Sequence, residues 1–171
     1  MALLKVLKAP HPILKEKARP VEEAEFGWQL EEFVNSMLDT MYAENGIGLA
    51  APQVGDSRRI LVAEPRLPDE DPENVPLLVM INPEITLRSD DMIGYPEGCL
   101  SVPDYNFKVP RHQRINVKWR TPTGETMSKT FTDFHAIVVQ HEMDHLDGIT
   151  LLERSSRAHR RKWLRGRKKK F

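Results

Sequence analysis

One stretch constrains everything else this chain can fold into: Val138-Val139-Gln140-His141-Glu142-Met143-Asp144-His145-Leu146-Asp147-Gly148. It reads His-Glu-x-x-His. A helix of about 3.6 residues per turn puts His141 and His145 on one face, about one turn apart. Two imidazoles so placed can hold one divalent cation. Glu142, rotated by about 100° from His141, sits beside the pair and can take a proton from a water there without being a ligand. Two neutral imidazoles and an adjacent carboxylate base are what metal-assisted hydrolysis of a carbonyl compound requires.

The helix is predicted independently of the motif. Phe134, Val138, His141 and His145 step by 4, 3 and 4, which is one helical stripe. Ile137, Val139 and Leu146 make the rest of the helix apolar too, and a helix apolar on most sides is buried. Gly148 is a natural stop. The histidines therefore lie on the inward stripe of a central helix. Two core histidines satisfied by hydrogen bonds are the bland alternative; a glutamate beside them on a buried helix argues against it.

The 171 residues, 40% hydrophobic, suit one domain with a proper core. No run of apolar residues is long enough for a membrane span. The first residues, Met1-Ala2-Leu3-Leu4-Lys5, carry charge too soon for a signal peptide, so the expected location is the cytoplasm. Cys99 is the one cysteine, which rules out an internal disulfide. A formal net charge of zero hides an asymmetry: residues 1–152 hold 15 Lys/Arg against 24 Asp/Glu, whereas residues 153–171 hold 10 Lys/Arg and only Glu153. We expect a catalytic domain over 1–152 and a basic helix or tail over 153–171.

Along the body, residues 5–20 read as an extended arm with a short helical turn after Pro12. Phe26, Leu30, Phe33, Val34, Met37, Leu38 and Met41 mark one face of an amphipathic helix over 26–42. The segment Gly46-Ile47-Gly48-Leu49-Ala50-Ala51-Pro52-Gln53-Val54-Gly55 reads as neither strand nor helix; its glycines let a backbone approach a ligand closely, though taken alone a plain loop is the favoured reading. A strand is predicted over 59–64. Residues 64–76 form an acidic, proline-rich surface excursion with no predicted role. Two strands, 77–81 and 84–88, are expected to join at Asn82-Pro83. Residues 114–120 alternate with Ile115, Val117 and Trp119 inward, and 126–131 pair back as a hairpin. The predicted class is α+β: antiparallel sheets around a central metal-bearing helix, plus an N-terminal amphipathic helix and the basic C-terminal helix or tail.

A catalytic metal usually takes a third protein ligand. Where some His-Glu-x-x-His peptidases place a third histidine, this chain has Leu151; Glu153 is too near to serve. The third ligand is therefore expected upstream. Cys99, in Glu97-Gly98-Cys99-Leu100-Ser101, is one candidate, since thiolate binds zinc or ferrous iron well; a buried small hydrophobe is the other reading.

Residues 46–53, 97–101 and 141–145 resemble, in order and spacing, the three signature motifs of the peptide deformylase family, and the resemblance covers about residues 5–152. That family removes the N-formyl group from the initiator methionine of new polypeptides and releases formate. The resemblance implies that Cys99, His141 and His145 hold one divalent metal, Fe²⁺ first and Zn²⁺, Ni²⁺ or Co²⁺ as substitutes. It implies Glu142 as general base and then acid, with Gln53 and the backbone N–H of Leu100 bonding the developing oxyanion. Backbone near Gly48 and Gly98 would pair with the formylmethionyl peptide as an added strand. Ile47 would wall the methionine pocket, with Ile137 and Val138 as further candidates outside the signatures. The run Asp133-Phe134-His135-Ala136-Ile137 departs from the Leu-Ala-Arg type often found there, which touches the pocket's shape rather than its chemistry. His11, His112, His135 and His159 read as structural.

A last helix over 157–165, capped by Ser155 or Ser156, has only Trp163 and Leu164 as large apolar residues. It is either a solvated terminus or an electrostatic dock for RNA. In some family members a C-terminal helix binds the ribosome, which the resemblance extends to residues 154–171. No DNA or membrane partner is predicted. Two other classes stay in view: a zinc peptidase with no use for Cys99, and a metal-stabilised RNA-binding module with a closed four-ligand site and no need of Glu142.

Overall fold

The structure, a computed structural model, describes residues 2–168. The last three positions of the expected basic tail lie outside the described residues. In chain order the strands are β1 (Gly48–Ala50), β2 (Ile60–Ala63), β3 (Leu78–Arg88), β4 (Met92–Ile93), β5 (Pro96–Cys99), β6 (Val102–Lys108), β7 (Arg111–His112), β8 (Arg114–Arg120) and β9 (Thr126–Thr132). The helices are α1 (Trp28–Ala43), α2 (Asp133–Leu146), α3 (Leu151–Arg154) and α4 (Arg157–Lys168). The class is α+β, as the sequence predicts.

β1, β2, β3, β8 and β9 form one antiparallel sheet in that order, β4 pairs with β7, and β5 pairs with β6. β2 is buried at every position because a helix covers each face of the sheet. Leu61 and Ala63 pack with Met80, Ile115, Val117, Trp119 and Phe131 against Ala136, Val139, Met143 and Leu146 of α2. Ile60, Val62 and Ile81 face the other way, onto Leu30, Val34, Met37 and Met41 of α1. The inward alternation of Ile115, Val117 and Trp119 is therefore as expected. Each fully buried side chain of this size contributes about 1.5–3 kcal/mol relative to exposure.

Three expectations need correcting. Residues 48–54 are not irregular: β1 pairs with β2 and runs into a 3-10 turn over Ala51–Val54. β3 is one strand with a register irregularity where two strands were expected. Asn82 there adopts φ 52°, and its amide accepts from the Val21 N–H at 2.8 Å and donates to the Val21 carbonyl at 2.9 Å. This clamp holds the left-handed kink at Asn82, where the register of β3 against β8 shifts. Third, the pairs β4–β7 and β5–β6 were not anticipated.

The C-terminal end of α2 is firmly closed. Gly148 takes φ 74°, a left-handed stop. The Leu146 carbonyl accepts from Ala18 N–H at 2.8 Å and from Arg59 Nη1 at 2.9 Å, so this orphan helix carbonyl is satisfied. Glu153 serves a capping box with Thr150 at the start of α3. α4 passes straight through Gly166 instead of stopping near Arg165. It lies on the body through buried Trp163, whose Nε1 donates to the Pro103 carbonyl at 2.9 Å, in a cluster with Ala9, Leu14, Val102 and Leu152. No helix among the described residues is long and apolar enough to cross a membrane.

Candidate metal centre

α2 presents His141 and His145 one turn apart, with ring centroids 5.2 Å apart. Both are buried. The β5–β6 hairpin brings Cys99 to them: Sγ is 3.3 Å from His145 Nε2. One ligand atom from each of Cys99, His141 and His145 falls within 4.8 Å of the others. Such a soft thiolate and two imidazoles, converging on one point, are the donor set that zinc or ferrous iron takes.

The two imidazoles sit in opposite electrostatic settings. Burial works against a charge on His141, but Cys99, Glu97 and Glu142 outweigh it and hold its pKa well above the usual value. Burial and the neighbouring His141 and Arg111 push His145 well below its usual value, leaving a neutral imidazole. Nδ1 of His141 lies 2.9 Å from Glu97 Oε1, which fixes the ring and turns Nε2 toward Cys99, as metal-ligating histidines require. His145 Nδ1 and Glu142 Oε2 are buried with no hydrogen-bond partner. The residues present thus fit a divalent ion, with a base beside it.

Glu142 packs against β1. A Cβ at Gly48 would meet Glu142 Cδ at 2.8 Å, so glycine at 48 is what allows the carboxylate to lie there. Burial raises the Glu142 carboxyl to about 7, in the range of a base that must trade protons near neutrality. Gln53, 1% exposed on the 3-10 turn after β1, is pinned by the Ala50 N–H to its Oε1 at 2.9 Å. Its Nε2 donates to Ser101 Oγ at 3.1 Å and approaches Cys99 Sγ at 3.6 Å. Leu100 sits at the turn between β5 and β6.

A cavity of 170 Å³ opens beside the base, lined by Ile47, Tyr95, Pro96, Glu97, Gly98, Phe134, Ile137, Val138, His141 and Glu142. The expected substrate-contacting residues Ile47, Gly98, Ile137 and Val138 therefore share one pocket. Gly48 lies against Glu142 rather than in its lining.

Sequence reasoning missed the supports. Arg111, on β7, is 4% exposed; it grips Glu97 through Nε at 3.0 Å and Nη2 at 2.8 Å, and Asp144 of α2 through Nη1 at 2.6 Å. Asp144 also holds Arg154 of α3 at 2.6 and 2.9 Å. The N-terminal arm braces the other side: Leu7 N–H to the Gln53 carbonyl at 2.7 Å, Lys8 Nζ to the Leu100 carbonyl at 2.7 Å, and Ala9 N–H to the Ser101 carbonyl at 2.8 Å. Of the remaining histidines, His135 Nε2 lies 2.7 Å from Glu70 Oε1 and His112 Nδ1 lies 2.8 Å from the Ser89 carbonyl.

A sequence model described as polypeptide deformylase matches residues 3–161. The chain belongs to the polypeptide deformylase family. A peptide deformylase of Phenylobacterium zucineum is 40% identical over 169 residues, covering 99% of this chain and 97% of that protein. The Met-Ala-Ser-bound class I type b peptide deformylase of Acinetobacter baumannii superimposes with a TM-score of 0.83 at 40% identity, over 90% of this chain and 99% of that one. A peptide deformylase from Legionella pneumophila gives a TM-score of 0.85 at 35% identity, over 96% and 92%. This deformylase is accordingly a metal-dependent hydrolase of protein biosynthesis that removes the N-formyl group from newly made polypeptides.

Proposed function

We propose that Cys99, His141 and His145 hold one divalent ion and that Glu142 does the proton transfers of deformylation. The carrying observation is the convergence of three ligand atoms within 4.8 Å next to a buried carboxylate oxygen without a partner. A dication held there supplies Lewis acidity toward water and toward a carbonyl oxygen. Glu142 takes a proton from the attacking water and later delivers it to the leaving amine. Gln53 Nε2 and the Leu100 N–H donate to the oxygen on which charge develops; losing one such donor costs about 10²–10³ in rate. The formylmethionyl peptide lies as an added strand along the backbone at Gly48 and Gly98. Its side chain enters the cavity walled by Ile47, Ile137 and Val138.

We assign Fe²⁺ as the working ion, with Zn²⁺, Ni²⁺ or Co²⁺ able to take the same ligands. By affinity order zinc outcompetes ferrous iron, so supply and geometry decide between them. Residues 154–171 form the ribosome-facing part of the enzyme, which works in the cytoplasm. Exposed Arg157, Arg161, Lys162 and Arg165 of α4 present cationic groups of the kind that bind phosphate backbones. A peptidase without a use for Cys99 finds no support in a site where the thiol is among the ligand atoms. A closed four-ligand module finds none either, since the described residues bring three together.

Glu142→Gln tests the assignment of the base. The variant should fold, retain stoichiometric metal and lose about 10²–10⁴ in kcat, in line with the loss of a general base. A metallated variant turning over at the wild-type rate would show that the base is another group.

A further inference from the structure

Ser101 is fully buried at the turn between β5 and β6, next in sequence to Leu100. Its Oγ accepts from Gln53 Nε2 at 3.1 Å. Gln53 is fixed at two further points. Its Oε1 accepts from the Ala50 N–H at 2.9 Å, which settles which end of the amide is the oxygen. Its Nε2 also comes within 3.6 Å of Cys99 Sγ. An amide pinned only at its oxygen can still swing about that one bond. The Ser101 hydroxyl takes one of the two Nε2 hydrogens and stops the swing. The other hydrogen is left facing the Cys99 thiol, on the side where the three ligand atoms converge. The main chains that carry the pair are tied as well. Leu7 N–H bonds the Gln53 carbonyl at 2.7 Å, and Ala9 N–H bonds the Ser101 carbonyl at 2.8 Å. One short stretch of the N-terminal arm thus sets the distance across which the Ser101–Gln53 bond is made.

We propose that Ser101 is a positioning residue for deformylation: its hydroxyl aims the Gln53 amide at the oxygen on which charge develops, without touching the substrate. This rests on the reading of Gln53 as an oxyanion donor. Such a donor accelerates a reaction only if it already stands where the transition-state oxygen will be, with no reorganisation left to do. A displacement of about 1 Å can cost about 10² in rate. The bond lies away from bulk solvent, with Gln53 as deeply buried as Ser101. Removing the hydroxyl therefore leaves an amide hydrogen that must turn elsewhere or stay unpaired, and an unpaired buried donor is costly. Because the formyl oxygen carries its full charge only in the transition state, the loss falls on kcat and leaves KM nearly as it was.

The experiment is a double-mutant cycle. It measures kcat and KM for formyl-Met-Ala-Ser in the wild type, Ser101→Ala, Gln53→Ala and the double variant, all loaded with the same metal. Gln53→Ala should lower kcat by about 10²–10³. Ser101→Ala should lower it by about 10², with KM and metal content close to wild type. In the Gln53→Ala background the serine change should cost nothing more. Ser101→Thr and Ser101→Val repeat the comparison at constant size, and the threonine variant, which keeps the hydroxyl, should have the much higher kcat. Losses that multiply in the double variant, or equal kcat for the threonine and valine variants, would make Ser101 a structural support and overturn the proposal. An unchanged kcat in Gln53→Ala would instead overturn the reading of Gln53 on which it rests.

Discussion

Arg111 is the residue on which the centre's geometry turns, although it touches no ligand atom. Its guanidinium is buried between the carboxylates of Glu97 and Asp144, and Glu97 in turn meets His141 Nδ1. Burial alone would raise Glu97, but His141 and Arg111 hold it below the ordinary carboxylate value. Arg111→Met leaves Glu97 without its buried countercharge. Breaking such a pair from one side costs about 3–5 kcal/mol; we expect that loss in denaturant unfolding, together with weaker metal retention against a chelator. A loss below about 1 kcal/mol would mean that the pair behaves as a surface pair. Glu142 carries a pH signature. Burial raises it to about 7, and a base works only when deprotonated, so kcat/KM should fall tenfold per pH unit on the acid side. A bound dication draws the carboxylate pKa down, so the limb should lie at or below about 7. A profile with no acid limb at all would remove Glu142 from the role. His141 and His145 were legible because helical spacing places both from local sequence alone. Cys99 was one of two readings of a lone thiol until the resemblance singled it out, and the Glu97–Arg111–Asp144 linkage was not legible at all, since those partners come from three separate elements and no local period joins them.

Among the elements, α1, α2 and β8 were readable because each buries apolar residues at its own period, and β9, in which only Phe131 is buried, followed from the turn after β8. The β5–β6 hairpin was not. β5 is Pro96-Glu97-Gly98-Cys99, in which proline, a charge and glycine mask any alternation; its extended form comes from pairing with β6 and from Arg111 holding Glu97. The turn bearing Gln53 was hidden for a similar reason, being fixed by bonds to Leu7 and Ala50 and not by periodicity. α4 was legible as a helix, but its docking depends on Trp163 meeting a carbonyl at Pro103, far away in sequence. That docking leaves the cationic residues facing outward on an ordered helix. Co-sedimentation with ribosomes should therefore be strong at low salt and fall steeply as salt rises. It should be largely lost when Arg157, Arg161, Lys162 and Arg165 are changed together to glutamine. Sedimentation unaffected by those changes would separate the tail from ribosome binding.

At the scale of the whole molecule, one sheet clad by two helices holds three segments far apart in sequence against one point. β1 and its turn bring Gly48 and Gln53, the β5–β6 hairpin brings Cys99 and Leu100, and α2 brings His141, Glu142 and His145. The N-terminal arm ties the first two together. On the proposed reading this assembly works as a metal-dependent deformylase through Glu142 beside a Cys99–His141–His145 ion. The most direct test is formate release from formyl-Met-Ala-Ser by anaerobically purified protein, with metal content determined on the same sample. We predict rapid release proportional to bound metal, abolished by chelation and decaying in air as ferrous iron and Cys99 oxidise. Release that persists unchanged in fully metal-free protein, or no release from folded protein carrying one ion per chain, would contradict it.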